Sequence, residues 1–97
     1  MYKPVMTKLA QKDATKLERA GLKPKAASLL GIIVKDPYQN PPEYEKLKGL
    51  KDTYSRRINI QHRLVYQVLP NVEGLKDDEG ELYQGVLKII RMWTHYE

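Results

Sequence analysis

Hydrophobic positions follow a helical period in the first third of this chain and a strand period over much of the rest. Thr7 is placed to cap a helix over KLAQKDATKLERAG, where Leu9, Ala10, Ala14 and Leu17 recur at helical spacing and Gly21 supplies the stop. Pro24 suits the first turn of a second helix. Its apolar set, Ala26, Ala27, Leu29, Leu30, Ile33 and Val34, again steps by three to four residues before Pro37 ends it. These two helices form a hairpin with an apolar face that needs a cover. Ahead of them, MYKPVMT reads as a short first strand that Pro4 confines to a sheet edge.

The stretch DPYQNPPEYEKLKGLKDT is predicted to be loop, because its prolines and Gly49 oppose regular structure. After it the period becomes two. In YSRRINIQHRLVYQVLP, Leu64, Tyr66 and Val68 fall on one face and Arg63, Val65 and Gln67 on the other. NVEGLKDDEGELYQG, charged and carrying three separate glycines, reads as a long, solvated and mobile hairpin connection. VLKIIRMW is the last strand, apolar on both faces at its centre as an internal strand is. The order of elements predicts one α+β domain spanning residues 1–97, a helical hairpin packed on a twisted antiparallel sheet.

Composition narrows the function. With 97 residues and 41% apolar content the chain builds one modest core. The absence of cysteine excludes disulfide scaffolds and thiolate metal sites and suits a reducing cytoplasm. No apolar run approaches the roughly 18 residues of a membrane span, and the N-terminus lacks the apolar stretch of a signal peptide. The expectation is a cytoplasmic protein with no membrane partner. A net charge of +5 and a pI near 9.4 favour a polyanionic partner. That charge is localised: from Tyr44 to Arg63 six bases face two acids, whereas from Glu73 to Glu81 five acids face one lysine.

Among residues that could carry chemistry, the helix acids Asp13 and Glu18 sit among Lys12, Lys16 and Arg19 and read as a solvated, charge-balanced face. Glu45 is one carboxylate in EYEKLK, and on its residues alone reads as an exposed loop acid. Arg56 and Arg57 are adjacent, so in a strand they point to opposite faces. Arg57 shares parity with Ser55 and Asn59 and Arg56 with Ile58 and Ile60, which makes Arg57 the better cleft residue; Arg63 is another. His62 falls in a turn and receives no role. His95, on the parity of Leu87, Ile89, Arg91 and Trp93, fits either a cleft or a structural position at the sheet end. Two histidines without cysteine make a poor metal set. An acid, arginines and a histidine match the needs of RNA cleavage through its own 2′-OH: a base for that proton, cations for the phosphoryl oxygens, and an acid for the departing 5′-oxygen. DNA lacks the 2′-OH, so this chemistry selects RNA.

Taken together, NPPEYEKLKG, YSRRINIQHRLVYQV and the terminal HYE resemble the Txe/YoeB-type toxins of the RelE superfamily, from type II toxin–antitoxin modules, over nearly the whole chain. The resemblance implies a ribosome-dependent mRNA endonuclease that needs no cofactor. Its implied partners are the ribosome and its rRNA, mRNA and a cognate YefM/Axe-type antitoxin, with a homodimer also admitted. It assigns Glu45 as base, with Glu43 as the fallback, and Arg63 as the phosphate-stabilising arginine. His95 becomes the general acid and Tyr96 its positioning or stacking partner, while Lys48, Arg57, Arg56 and Lys51 supply phosphate-binding cations. Against the family pattern, Glu97 extends the chain beyond the Tyr, the 70–85 connection is long, and the segment from Glu45 to Ser55 is one residue shorter. Two other readings are a ParE-like toxin that binds DNA gyrase without cleaving, and a basic RNA-binding domain with no catalysis.

Overall fold

The computed structural model describes residues 1–93. β1 (Tyr2–Met6) leads into α1 (Lys8–Arg19) and α2 (Lys23–Lys35), followed by β2 (Glu45–Lys46), β3 (Thr53–Arg57), β4 (Arg63–Pro70) and β5 (Gly85–Arg91). The strands form one sheet in the order β1-β5-β4-β3-β2. Pro4 does lie on an edge strand, and β5 is internal. One pairing departs from the antiparallel expectation: β1 runs parallel to β5, which makes the sheet mixed. That partner lies some 80 residues along the chain, and its direction is invisible to local periodicity.

Local chemistry explains the helix ends. The Thr7 hydroxyl accepts from the Ala10 N–H at 3.0 Å, satisfying a first-turn donor, and itself donates to the Ile90 carbonyl at 2.9 Å. A single side chain thus starts α1 and ties it to β5. At the other end Gly21 adopts φ +74°, and the Gly21 and Leu22 N–H groups return to the Glu18 and Leu17 carbonyls. This left-handed cap reverses the chain into α2. One face of the sheet then buries Leu64, Tyr66, Leu87 and Ile89 against Leu17 and Ile33 of the helices. At the start of β5, a β-carbon on Gly85 would lie 2.5 Å from the Leu69 carbonyl oxygen and 2.9 Å from the Tyr2 ring, so only glycine lets these strands close.

Three regions differ from the sequence reading. The loop after α2 contains the two-residue β2, which pairs with Ser55 and Tyr54. The 71–84 connection is hydrogen-bonded rather than structureless: Lys76 bridges Leu82, the Asn71 side chain binds Leu75 and Tyr83, and the Asp77 carboxylate accepts from the Glu79 and Glu81 N–H groups. Short polar side chains have organised what too few apolar residues could not. Finally, Val65 pairs with Arg91 but Tyr66 with Ile89, so Ile90 is an extra residue on β5. This bulge turns Met92 into the core, where unbroken alternation would place it on the opposite face. The parity inferred for His95 assumed an unbroken strand, and His95 lies outside the described residues, as do Tyr96 and Glu97.

Candidate active site

On the sheet face away from the helices, β2, β3 and β4 bring Glu45, Ser55 and Arg63 together. Register does this directly: Glu45 is opposite Ser55, and Arg57 is opposite Arg63. A Glu45 carboxylate oxygen lies 3.6 Å from the Arg63 guanidinium, whose Nε donates to the Ser55 hydroxyl. Glu43 is not part of this contact. Glu45 keeps 71% of its side-chain surface exposed, while Arg63 keeps only 13%. A cation sunk in the strand face and an acid open to solvent above it suit an anionic ligand that the cation orients and the acid deprotonates.

The remaining cations flank this pair. Arg57 is exposed at the end of β3, and Lys46, Lys48 and Lys51 belong to the β2–β3 hairpin, which encloses a groove of about 560 Å³. The hairpin is not slack, since the Lys51 carbonyl accepts from the Thr53 hydroxyl and from the Gln67 amide. Positive charge therefore stands on both sides of Glu45 along the strand direction.

Arg56 belongs elsewhere, and its expected phosphate contact is corrected. It is 0% exposed. Its Nε donates to the Tyr66 hydroxyl at 3.0 Å and one Nη to the Pro37 carbonyl at 3.0 Å, while the other Nη binds the Pro42 carbonyl. Its guanidinium carbon stands 4.8 Å from the centre of the Tyr44 ring. Tyr44 in turn packs against Tyr38 and Tyr54, and Tyr54 against Tyr66. Arg56 therefore holds the two ends of the loop that delivers Glu45. Burial and a hydrogen bond with Tyr54 push the Tyr38 phenol up to about 12, and burial raises Tyr66 despite the opposing effect of Arg56. Neither phenol exchanges protons near neutrality.

Asp13, expected on a solvated face, is 1% exposed. Its carboxylate accepts from Arg91 Nε at 2.8 Å and from the Met92 N–H at 2.9 Å, clamping the chain where β5 ends. The signal was present: Asp13 lies three residues after Ala10 and four before Leu17, on the buried stripe of α1. Burial raises its proton affinity, but the Arg91 and Met92 hydrogen bonds and the charges of Arg91 and Lys16 outweigh this and lower its pKa. With the folded value below the unfolded one, near 3.9, this stabilisation is present above the unfolded pKa and is lost as pH falls through the folded pKa. Asp13→Asn is expected to cost about 1.5–3 kcal/mol at pH 7. Urea titrations of both proteins should converge as pH falls below the carboxylate range; a constant gap would dismiss the charge as the cause.

Beyond the clamp, Trp93 stacks on His62 with ring centroids 4.0 Å apart and planes 22° from parallel. His62 is thus a buried element of the sheet end, beside Arg63, which sequence reasoning left without a role.

The arrangement is a small fold, a two-helix layer over a mixed sheet, whose face away from the helices carries a Glu–Arg pair among basic residues. The solved structures of the YoeB/ParE toxin from Agrobacterium tumefaciens, the YoeB dimer from Staphylococcus aureus and the YoeB–YefM complex from Staphylococcus aureus share it. The first is 27% identical with a TM-score of 0.77, covering 97% of this chain and 99% of that one. The second is 29% identical with a TM-score of 0.69, covering 98% of each, and the third 28% identical at 0.68, covering 99% of each. No protein-family model and no curated protein sequence matches the chain. These neighbours support a toxin of the YoeB/RelE type.

Proposed function

We propose that this toxin is an endoribonuclease that cuts messenger RNA in the ribosomal A site. The observation that carries the reading is the Glu45–Arg63 pair, 3.6 Å apart on an open strand face bordered by Arg57 and the lysine hairpin. Glu45 takes the proton of a ribose 2′-OH, whose oxygen then attacks the adjacent phosphorus. Arg63 and Arg57 stabilise the charge that develops on the non-bridging oxygens. The P–O5′ bond breaks as the leaving oxygen is protonated, leaving a 2′,3′-cyclic phosphate and a 5′-OH. His95 is assigned that last proton and Tyr96 its support, both carried over from the family resemblance. Dependence on the ribosome follows from the same likeness, since a chain this small offers little surface with which to order an RNA strand.

A YefM-type antitoxin is the proposed partner, by analogy with the Staphylococcus aureus YoeB–YefM complex, and self-association by analogy with the YoeB dimer. An acidic segment covering the Arg57–Arg63 face would exclude RNA from it. The chain works in the cytoplasm on this reading, because ribosomes are there. The gyrase-binding alternative needs no paired carboxylate and arginine on the sheet face. In vitro translation with the purified chain, with 5′ ends of the message mapped, separates the two. Cuts within the A-site codon are expected; an intact message together with inhibited gyrase supercoiling would overturn the assignment.

A further inference from the structure

At the end of the sheet, away from the Glu45–Arg63 pair, an aromatic face and two cations meet with no function assigned to them. Trp93 rests one face on His62, 4.0 Å away, and His62 is nearly fully buried. A rigid support of this kind holds the indole in one orientation. Trp93 also lines a shallow depression of about 300 Å³ together with Lys16, Arg19 and Ala20. Lys16 Nζ stands 6.0 Å from the centre of the indole, at the outer limit of a cation–π contact, so its flexible stem can swing aside.

Nearby acids are already committed. Asp13, one turn before Lys16, is taken by Arg91, and Glu18 pairs with Lys23 at 3.8 Å. Among the described residues neither Lys16 nor Arg19 has an acidic partner within 4.0 Å. An apolar ligand would satisfy only the indole, and an acidic peptide only the cations. A nucleotide brings a π-face and an adjoining phosphate together, which is how single strands bind aromatic platforms.

We infer that Trp93, Lys16 and Arg19 form a nucleotide subsite for single-stranded RNA, in which a base stacks on the indole and its phosphate lies between the two cations. The choice of RNA rests on the proposed function, but the subsite is separate from the cleavage residues. His62, which supports the platform, is next to Arg63 in the chain.

Trp93 is the single tryptophan of the chain, so its fluorescence reports on the site directly. The probe is 2′-O-methylated hexaadenylate, which cannot be cleaved because its 2′-oxygen is blocked. Titrating it into the full-length protein without ribosomes should quench the emission. The Lys16→Ala/Arg19→Ala variant, altered only at exposed positions, should need on the order of 10-fold more probe. Its salt dependence should fall by about 1.4 in log–log slope, for two phosphate contacts on a single strand. An abasic strand of equal length should leave the emission nearly unchanged, and Arg63→Gln should keep the quench while losing cleavage. A wild-type protein that cleaves message yet shows no quench overturns the subsite and spares the proposed function. Equal midpoints for wild type and the double variant, or a response to polyglutamate in place of the RNA, also overturn it.

Discussion

Arg63→Gln is expected to slow cleavage of ribosome-bound message by about 100- to 1000-fold, the usual loss when one preorganised donor is taken from a developing oxyanion. Glutamine is a better probe than alanine. The Arg63 side chain is mostly covered and its Nε donates to the Ser55 hydroxyl, so truncation would open a hole and strand a buried serine. The amide of glutamine keeps most of the length and can still meet Ser55, leaving loss of charge as the main change. Arg63→Lys should fall in between, since it restores the charge without the fork that reaches Ser55 and Glu45 together. Single-turnover cleavage on programmed ribosomes, with binding measured separately, reads this out. A folded glutamine variant that cleaves at the wild-type rate removes Arg63 from the chemistry.

Elements whose causes are local were readable from sequence. Thr7, Gly21 and Pro24 act on their own neighbours, so both helices appeared at nearly their observed limits. Parity in β3 and β4 separated Arg57 from Arg56 and placed Leu64 and Tyr66 in the core, because a period of two is set by the strand itself. What escaped were contacts between distant positions. Asp13 looks like its charged neighbours until Arg91, 78 residues away, is brought beside it. The His62–Trp93 stack and the parallel β1–β5 pairing depend in the same way on segments that only the finished fold juxtaposes. The bulge at Ile90 is a fourth case: one unpaired residue re-aims everything after it, and no alternation pattern announces it. Glu45 and Arg63 were singled out through the family resemblance, and the strand register brings them within 3.6 Å of each other, while Arg56 was misplaced because a buried arginine without a carboxylate is rare.

That arginine gives the largest expected change in stability. Arg56→Met is predicted to cost about 2–4 kcal/mol, which in a domain of this size lowers Tm by about 10–20 °C. Methionine nearly matches the side-chain volume, so the cost comes from hydrogen bonds rather than from a cavity. The Pro42 carbonyl loses its guanidinium donor, and the Tyr66 hydroxyl loses the Nε–H that it accepts. The Pro37 carbonyl keeps the Tyr66 O–H at 2.7 Å and is spared. Relief from burying a charge offsets part of the penalty, which is why the expected loss stays below the sum over broken bonds. Because the lost bonds fix the loop from Pro37 to Tyr44, Glu45 should also wander, and cleavage should fall at temperatures where the variant remains folded. Arg57→Gln should behave in the opposite way: nearly unchanged Tm, weaker binding of RNA and a shallower salt dependence, as removal of an exposed phosphate contact demands. Thermal melts and RNA titrations of the two neighbours therefore test the division of labour between them. A Tm for Arg56→Met within about 2 °C of wild type would mean that the buried guanidinium does not hold the loop.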